Sequence, residues 1–209
     1  MYTHLKSHIE SALKEYTSGS NYEYLIEAKA LFTELVGVVR EDDPEYESIM
    51  NLFNDWYLFQ FLSMKKTKTM MKEYVISKQL DPLLTDSLTN VHFSLLEHGG
   101  SNLGGSITVC DYFTSHSIKL AKDCFNLGLI KGDIFIGRII KYDNEYYLLD
   151  GISLFPKEIK QFIKKQIRSI KKLKDRHKEI EYIFRLDRLK NKLKNYGHLD
   201  PVRFFEQNF

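Results

Sequence analysis

The sequence predicts an α+β fold, with N-terminal helices, a central antiparallel sheet able to curl into a small half-open barrel, and C-terminal basic helices. Apolar residues recur at helical spacing up to residue 90. From 91 to 156 the chain has short runs rich in β-branched and aromatic residues, and over 107–113 they alternate with a period of two. After 156 the helical spacing returns, now among lysines and arginines. The chain therefore divides into a helical N-terminal region (1–90), an antiparallel β module (91–156) and a basic helical C-terminal region (157–209), expected to pack as one globular unit. A chain of 209 residues is long enough to bury a shared core.

Residues 2–17 predict a first helix, with Leu5, Ile9, Ala12, Leu13 and Tyr16 on one face. TSGSN breaks it, and residues 22–40 predict a second. EDDP ends that helix and opens a third, from Pro44 to about Leu62. Its broad apolar face, including Ile49, Leu52, Phe53, Trp56 and Phe59, marks it as central to a core. Residues 66–78 predict a fourth helix, and Asp81–Asn90 a connection or short helical turn. Asp43-Pro44, Asp81-Pro82, Phe155-Pro156 and Asp200-Pro201 all fall at expected element starts, because proline suits the first helical turn and aspartate caps its free N–H groups.

Strands are expected over 91–96, 107–113, 117–122, 134–141, 146–149 and 152–155. Thr114-Ser115 would form a two-residue turn that sets Cys110 opposite Lys119. Asp143-Asn144 is the better hairpin signal, since both residues tolerate positive φ. Gly137, inside the strongest strand, predicts a bulge or a close approach. Beyond Pro156 the apolar spacing drifts, which predicts a break near Asp175–His177 and two helices. Gly197 is a stop, and Pro201–Phe209 is an amphipathic tail expected to dock on the body.

Charge is uneven. Residues 1–62 carry four basic and eleven acidic side chains (−7), and residues 157–196 carry fifteen and five (+10). Lys160, Lys164, Lys165, Arg168, Lys171, Lys172 and Lys174 form the candidate macromolecule-binding stripe, a pattern suited to phosphates or to an acidic protein surface. The alternative is a solvated face balanced by the acidic N-terminal helices. The stripe could also lie on an anionic membrane, the least expected of its partners, and no apolar run approaches the roughly 18 to 20 residues of a spanning helix. MYTHLKSHIESAL has no basic start followed by an apolar stretch, so no signal peptide is predicted. Two cysteines form no disulfide framework, and a cytoplasmic setting is expected.

The chemistry-bearing patterns are sparse. His4 and His8 share a helix face without a third ligand, and Cys110 and Cys124 lack a CxxC spacing, so no metal is expected. The glycine-rich stretch Gly99–Gly105 matches no phosphate-binding loop and lies between two strands, which reads as a flexible connection. Asp133, Arg138 and Asn102 are the candidate ligand-facing residues; a structural ion pair or turn cap is the alternative for the first two. Asp111 and His116 flank the first hairpin and could approach each other beside Ser115 or Ser117, but no third group is evident to hold the base. No cofactor is expected.

Phe53-Asn-Asp-Trp56-Tyr57-Leu-Phe59 on a helix, followed by Lys131-Gly132-Asp133 and Arg138 on a strand, resembles a group of uncharacterised bacterial proteins. In that group an F-x-x-W-x-x-F helix precedes a β module with a G-D-x-x-x-x-R strand. Some members carry a cysteine-rich metal-binding tail that this chain lacks. The resemblance implies an α+β fold and no particular activity. The function expected is a non-enzymatic interaction or regulatory protein that binds a partner macromolecule, a protein first. The alternative is a nucleic-acid-binding module in which the basic helix follows the backbone while Tyr112, Tyr142, Tyr146 or Tyr147 stacks on bases. An enzyme with an unfamiliar site ranks third.

Overall fold

The computed structural model describes residues 2–101, 105–122, 128–197 and 199–209. Five helices precede the sheet: α1 (Tyr2–Tyr16), α2 (Tyr22–Val36), α3 (Tyr46–Phe59), α4 (Met70–Ser77) and α5 (Pro82–Thr89). The strands are β1 (His92–Ser101), β2 (Ile107–Asp111), β3 (Ser117–Lys119), β4 (Ile134–Tyr142), β5 (Glu145–Leu148) and β6 (Ser153–Leu154). Helices α6 (Lys160–Leu173), α7 (Arg176–Lys194) and α8 (Pro201–Asn208) complete the α+β fold.

Aspartate caps set several helix starts. Asp81 Oδ1 accepts from Leu83 N at 3.0 Å and Leu84 N at 3.1 Å, which makes the stretch after Pro82 a full helix. Asp175 caps α7 and Asp200 caps α8 in the same way. The break between α6 and α7 is at Lys174, in the left-handed region with φ 51°. Helix α2 ends at Val36, short of residue 40, because Gly37 leaves the helix at φ 89°. Asp43 Oδ1 accepts from Glu45 N at 2.8 Å, and α3 starts at Tyr46, two residues beyond Pro44.

The sheet is antiparallel in the order β3-β2-β1-β4-β5, with β6 pairing β4 beside β5. Its two edges meet. Leu120 bridges Tyr146, and Ala121 N donates to Tyr146 O at 2.8 Å, which curls the sheet into a half-barrel. Asp143 (φ 47°) and Asn144 (φ 64°) form the tight β4–β5 turn.

Two strand expectations are corrected, and at Gly137 the close approach holds in place of the bulge. Cys110 lies opposite Ser117, and Lys119 lies opposite Thr108. The β2–β3 turn is wider than Thr114-Ser115 because Asp111 Oδ1 takes the N–H groups of Phe113 (2.7 Å) and Thr114 (2.8 Å). The glycine-rich stretch is partly strand: β1 continues through Gly99 and Gly100 with a register shift between His98 and Gly100, and Gly100 sits at φ 113°. Residues 102–104 lie outside the described residues, as does Cys124. Gly137 carries no bulge, since β1 and β4 pair without interruption from His92↔Ile139 to Glu97↔Ile134. A Cβ there would meet Leu148 Cδ1 at 3.0 Å and Phe135 Cε2 at 3.2 Å, so the glycine makes room for the barrel's side chains.

One hydrophobic core joins all the regions. Tyr2 stacks on Tyr147 with ring centroids 5.4 Å apart, tying α1 to β5. Phe32, Phe53 and Trp56 form an aromatic cluster between α2 and α3. Phe93 meets Phe184, which seats α7 on β1. The C-terminal tail docks as a helix, with Phe204 and Phe205 buried and Phe209 against Phe162. Among the described residues no helix is long and apolar enough to cross a membrane.

Candidate functional site

The charged residues of the C-terminal region separate into a paired set and an unpaired set. On α7, Lys190 is buried, and its Nζ donates to Glu45 Oε2 at 2.8 Å and Ser153 Oγ at 2.7 Å. Lys194 Nζ lies 2.8 Å from Asp43 Oδ2 and 3.1 Å from Glu45 Oε2. The acidic segment before α3 is therefore matched to α7. Burial pushes the Asp187 carboxyl above its ordinary range, opposed by the nearby Lys190 charge and the Ser153 hydroxyl.

Helix α6 is different. Its buried side is Phe162, Ile163 and Ile167. Three cations flanking this side are partnered: Lys160 with Glu97 Oε1 at 2.8 Å, Lys164 with Glu97 Oε2 at 3.8 Å, and Lys171 with Ser115 Oγ at 2.6 Å. Burial raises the Glu97 carboxyl, but the lysines and the Tyr112 hydroxyl outweigh it and hold it below its usual range. Lys165, Arg168, Lys172 and Lys174 are exposed, and among the described residues they have no acidic partner. Lys165, Arg168 and Lys172 are three and four residues apart, which sets them in one line along the helix.

The Lys171–Ser115 contact brings the end of α6 to the rim of a cleft of about 910 Å³ at the barrel mouth. His92, Thr114, His116, Ser117, Lys119, Lys122, Glu145 and Tyr146 are among the residues that line it. Asp111, expected to meet His116, instead binds His92: His92 Nε2 lies 2.5 Å from Asp111 Oδ2. The Asp111 side chain is wholly buried, while that of His92 is 38% exposed. Burial pushes the Asp111 carboxyl up, but the hydrogen bonds from His92 and from Thr114 N outweigh it and leave it below the usual range. Asp111 N donates to His116 O at 2.9 Å, so His116 stands across the strand end from the same aspartate.

The remaining expected residues lie elsewhere. Asp133 caps its own turn, accepting from Ile130 N at 2.8 Å, and its Oδ1 faces Lys157 Nζ at 3.3 Å. Arg138 is fully buried against α3: its Nη2 donates to Gln60 Oε1, and its guanidinium lies 4.4 Å from the Phe93 ring centroid. Burial pulls Arg138 down to about 10, opposed by the charge of Asp55. Burial pushes Asp55 up to about 6, against the Arg138 charge and the Gly151 N–H, which donates to Asp55 Oδ2 at 3.0 Å. Asn102 lies outside the described residues. Of the four tyrosines, Tyr147 is buried and cannot stack on a base, Tyr112 is held by Glu97 at 2.6 Å, and Tyr146 lines the cleft. Tyr142 is half-buried. Among the described residues no three metal-ligating side chains gather.

His92 was missed in the sequence because it begins a strand nineteen residues before its partner and no motif joins them. Asp55 was missed because it sits in a helix face otherwise apolar. Its signal was the adjacent Trp56 and Tyr57, which put a carboxylate in a buried setting. The curated proteins and the solved structures give no match to the chain. The model of a family of unknown function (DUF7986) matches residues 5–192, from α1 through the whole sheet into α7, and the chain belongs to that family.

Proposed function

We propose that the protein binds a partner macromolecule, and that the partner is single-stranded nucleic acid carried on the α6 stripe and the rim of the barrel mouth. The observation that supports this is the unpaired line Lys165, Arg168 and Lys172, with Lys174 beyond it, while the acidic N-terminal segment is engaged by α7. Exposed cations at helical spacing match a phosphate backbone, and each contact releases counterions. The stripe reaches the rim through Lys171, where Lys119 and Lys122 continue the positive surface.

The test is fluorescence anisotropy with short single- and double-stranded DNA and RNA from low to near-physiological salt. Binding that weakens steeply with salt, and a shallower slope after K165Q, R168Q and K172Q are combined, is the expected result. No binding even at low salt removes this reading. A second reading, a protein partner, has its own support: Tyr22, Ile26, Leu62 and Met64 are exposed at 55%, 50%, 53% and 97%. The Met64 segment is tied to the same end of α2, where Met64 N donates to Glu27 Oε1 at 3.3 Å and Lys65 pairs with Glu23.

A further inference from the structure

The cleft at the barrel mouth brings together side chains that the binding reading does not use. His92 is held by a buried carboxylate, and His116, Lys119 and Lys122 share the cleft walls with it. We propose that this cleft cleaves single-stranded RNA by general acid–base catalysis, with the RNA's own 2′-hydroxyl as nucleophile. This inference rests on the nucleic-acid reading above and specifies its substrate.

The reaction needs a base to take the 2′-hydroxyl proton, an acid to protonate the departing 5′-oxygen and a cation to stabilise the crowded phosphorus centre. The chain supplies each. Asp111 accepts from His92 Nε2–H, which fixes the tautomer and leaves Nδ1 as the basic nitrogen. The three hydrogen bonds that converge on Asp111, from Phe113 N, Thr114 N and His92, keep its carboxylate in one orientation. Asp111 is thus a positioning residue. His116 is exposed, its carbonyl accepts from Asp111 N at 2.9 Å, and it lines the same cleft as His92. Lys119 lies on β3, two residues beyond Ser117, and both line the cleft.

The bonds balance. The 2′-oxygen attacks phosphorus and loses its proton to His92 Nδ1. The bond from phosphorus to the 5′-oxygen breaks, and protonated His116 gives that oxygen its proton. Lys119 faces the phosphoryl oxygens. The products are a 2′,3′-cyclic phosphate and a free 5′-hydroxyl, and solvent restores the two imidazoles. DNA lacks the nucleophile and is bound without being cut. A cleft of about 910 Å³ falls within the range of about 300–1,000 Å³ that holds compact ligands, room for a nucleotide linkage and an adjacent base.

The experiment uses the full chain in EDTA with three labelled oligonucleotides of one sequence: RNA, 2′-O-methyl RNA and DNA. Binding is read by anisotropy and cleavage by gel and mass spectrometry. The expected result is that all three bind and RNA alone is cut, to fragments ending in a 2′,3′-cyclic phosphate. H92Q and H116Q should each slow cleavage by about 100-fold or more, the usual size of an acid–base contribution, with the melting temperature kept. D111N, which retains the carbonyl for the Phe113 and Thr114 N–H groups, should slow cleavage and move the limb of the pH–rate profile assigned to His92. RNA bound but left intact overturns the inference and leaves the binding reading standing. No binding of any oligonucleotide overturns both. Cleavage that survives H92Q and H116Q overturns the assignment to this cleft.

Discussion

Helix α6 carries six basic side chains and no acidic one; helix α7 carries seven basic and three acidic. By composition α7 is the milder of the two, yet it holds the deeper cation. Lys190 is inserted between Glu45, Ser153 and Asp187, where its charge is neutralised inside the fold. On α6 the side toward the sheet uses Lys160 and Lys164 to satisfy Glu97, and the opposite side leaves Lys165, Arg168 and Lys172 in solvent. Regional charge therefore measures two different things. In α7 it is the price of docking against an acidic segment, and in α6 it is charge left on the surface. Arg138 and Asp55 belong with α7 on the buried side of this comparison.

The sharpest way to break the contrast is Lys190→Met. It keeps the volume but leaves the buried Asp187 without its cation, while Glu45 keeps only Lys194, a loss of about 3–5 kcal/mol as expected for one partner removed from a buried pair. Thermal denaturation should fall by about 6–20 °C on the usual scaling for a chain of this size.

Asp55 tests the buried side through pH. Its folded pKa of about 6 lies above the ordinary 3.8, so the folded state holds the proton more tightly than the unfolded chain. The associated stability is present below pH 4 and lost as pH rises through 6. The shift of about two units corresponds to about 3 kcal/mol. Urea denaturation of wild type and D55N should diverge across that window, with D55N the less pH-dependent.

Gly137→Ala probes the barrel interior beside Arg138. The added methyl meets Leu148 Cδ1 at 3.0 Å, and overpacking of this kind costs about 1–3 kcal/mol. A fall in the urea midpoint with an unchanged slope checks it.

The smallest effect on stability belongs to α6. K165Q, R168Q and K172Q combined should change the unfolding free energy by no more than about 0.5 kcal/mol. The same variant should flatten the salt dependence of single-strand binding by about 0.7 per lost phosphate contact. A large loss of stability would mean that α6 cations serve the fold as α7's do.

Much of the architecture could be read from local patterns. The break between α6 and α7, the Asp143-Asn144 hairpin and the docked Pro201 helix all follow from turn and capping chemistry that acts within a few residues. The β2–β3 register could not be read that way. It depends on Asp111 taking two backbone N–H groups, and the carboxylate then has an oxygen left for His92 across the sheet. The basic stripe was visible as composition, but its division into paired and unpaired lysines depends on Glu97, which lies sixty-three residues from Lys160. Arg138 looked available because a charged side chain in the middle of an apolar strand suggested a ligand or an ion pair. It is fully buried, and Gln60, just beyond the end of α3, meets its guanidinium.

The barrel's closure also has a mechanical consequence. Its two edges are joined at Leu120–Tyr146 and Ala121–Tyr146, a far shorter seam than the ladders that pair β1 with β2 and with β4. Local unfolding begins where the fewest contacts must break together. Amide protons along β3 and at the seam should therefore exchange with solvent long before those of β4, whose seven residues from Ile134 to Ile140 are all buried. The mouth can then breathe along this line without loosening the centre, and under the binding reading proposed above a strand would enter sideways and need not be threaded end first.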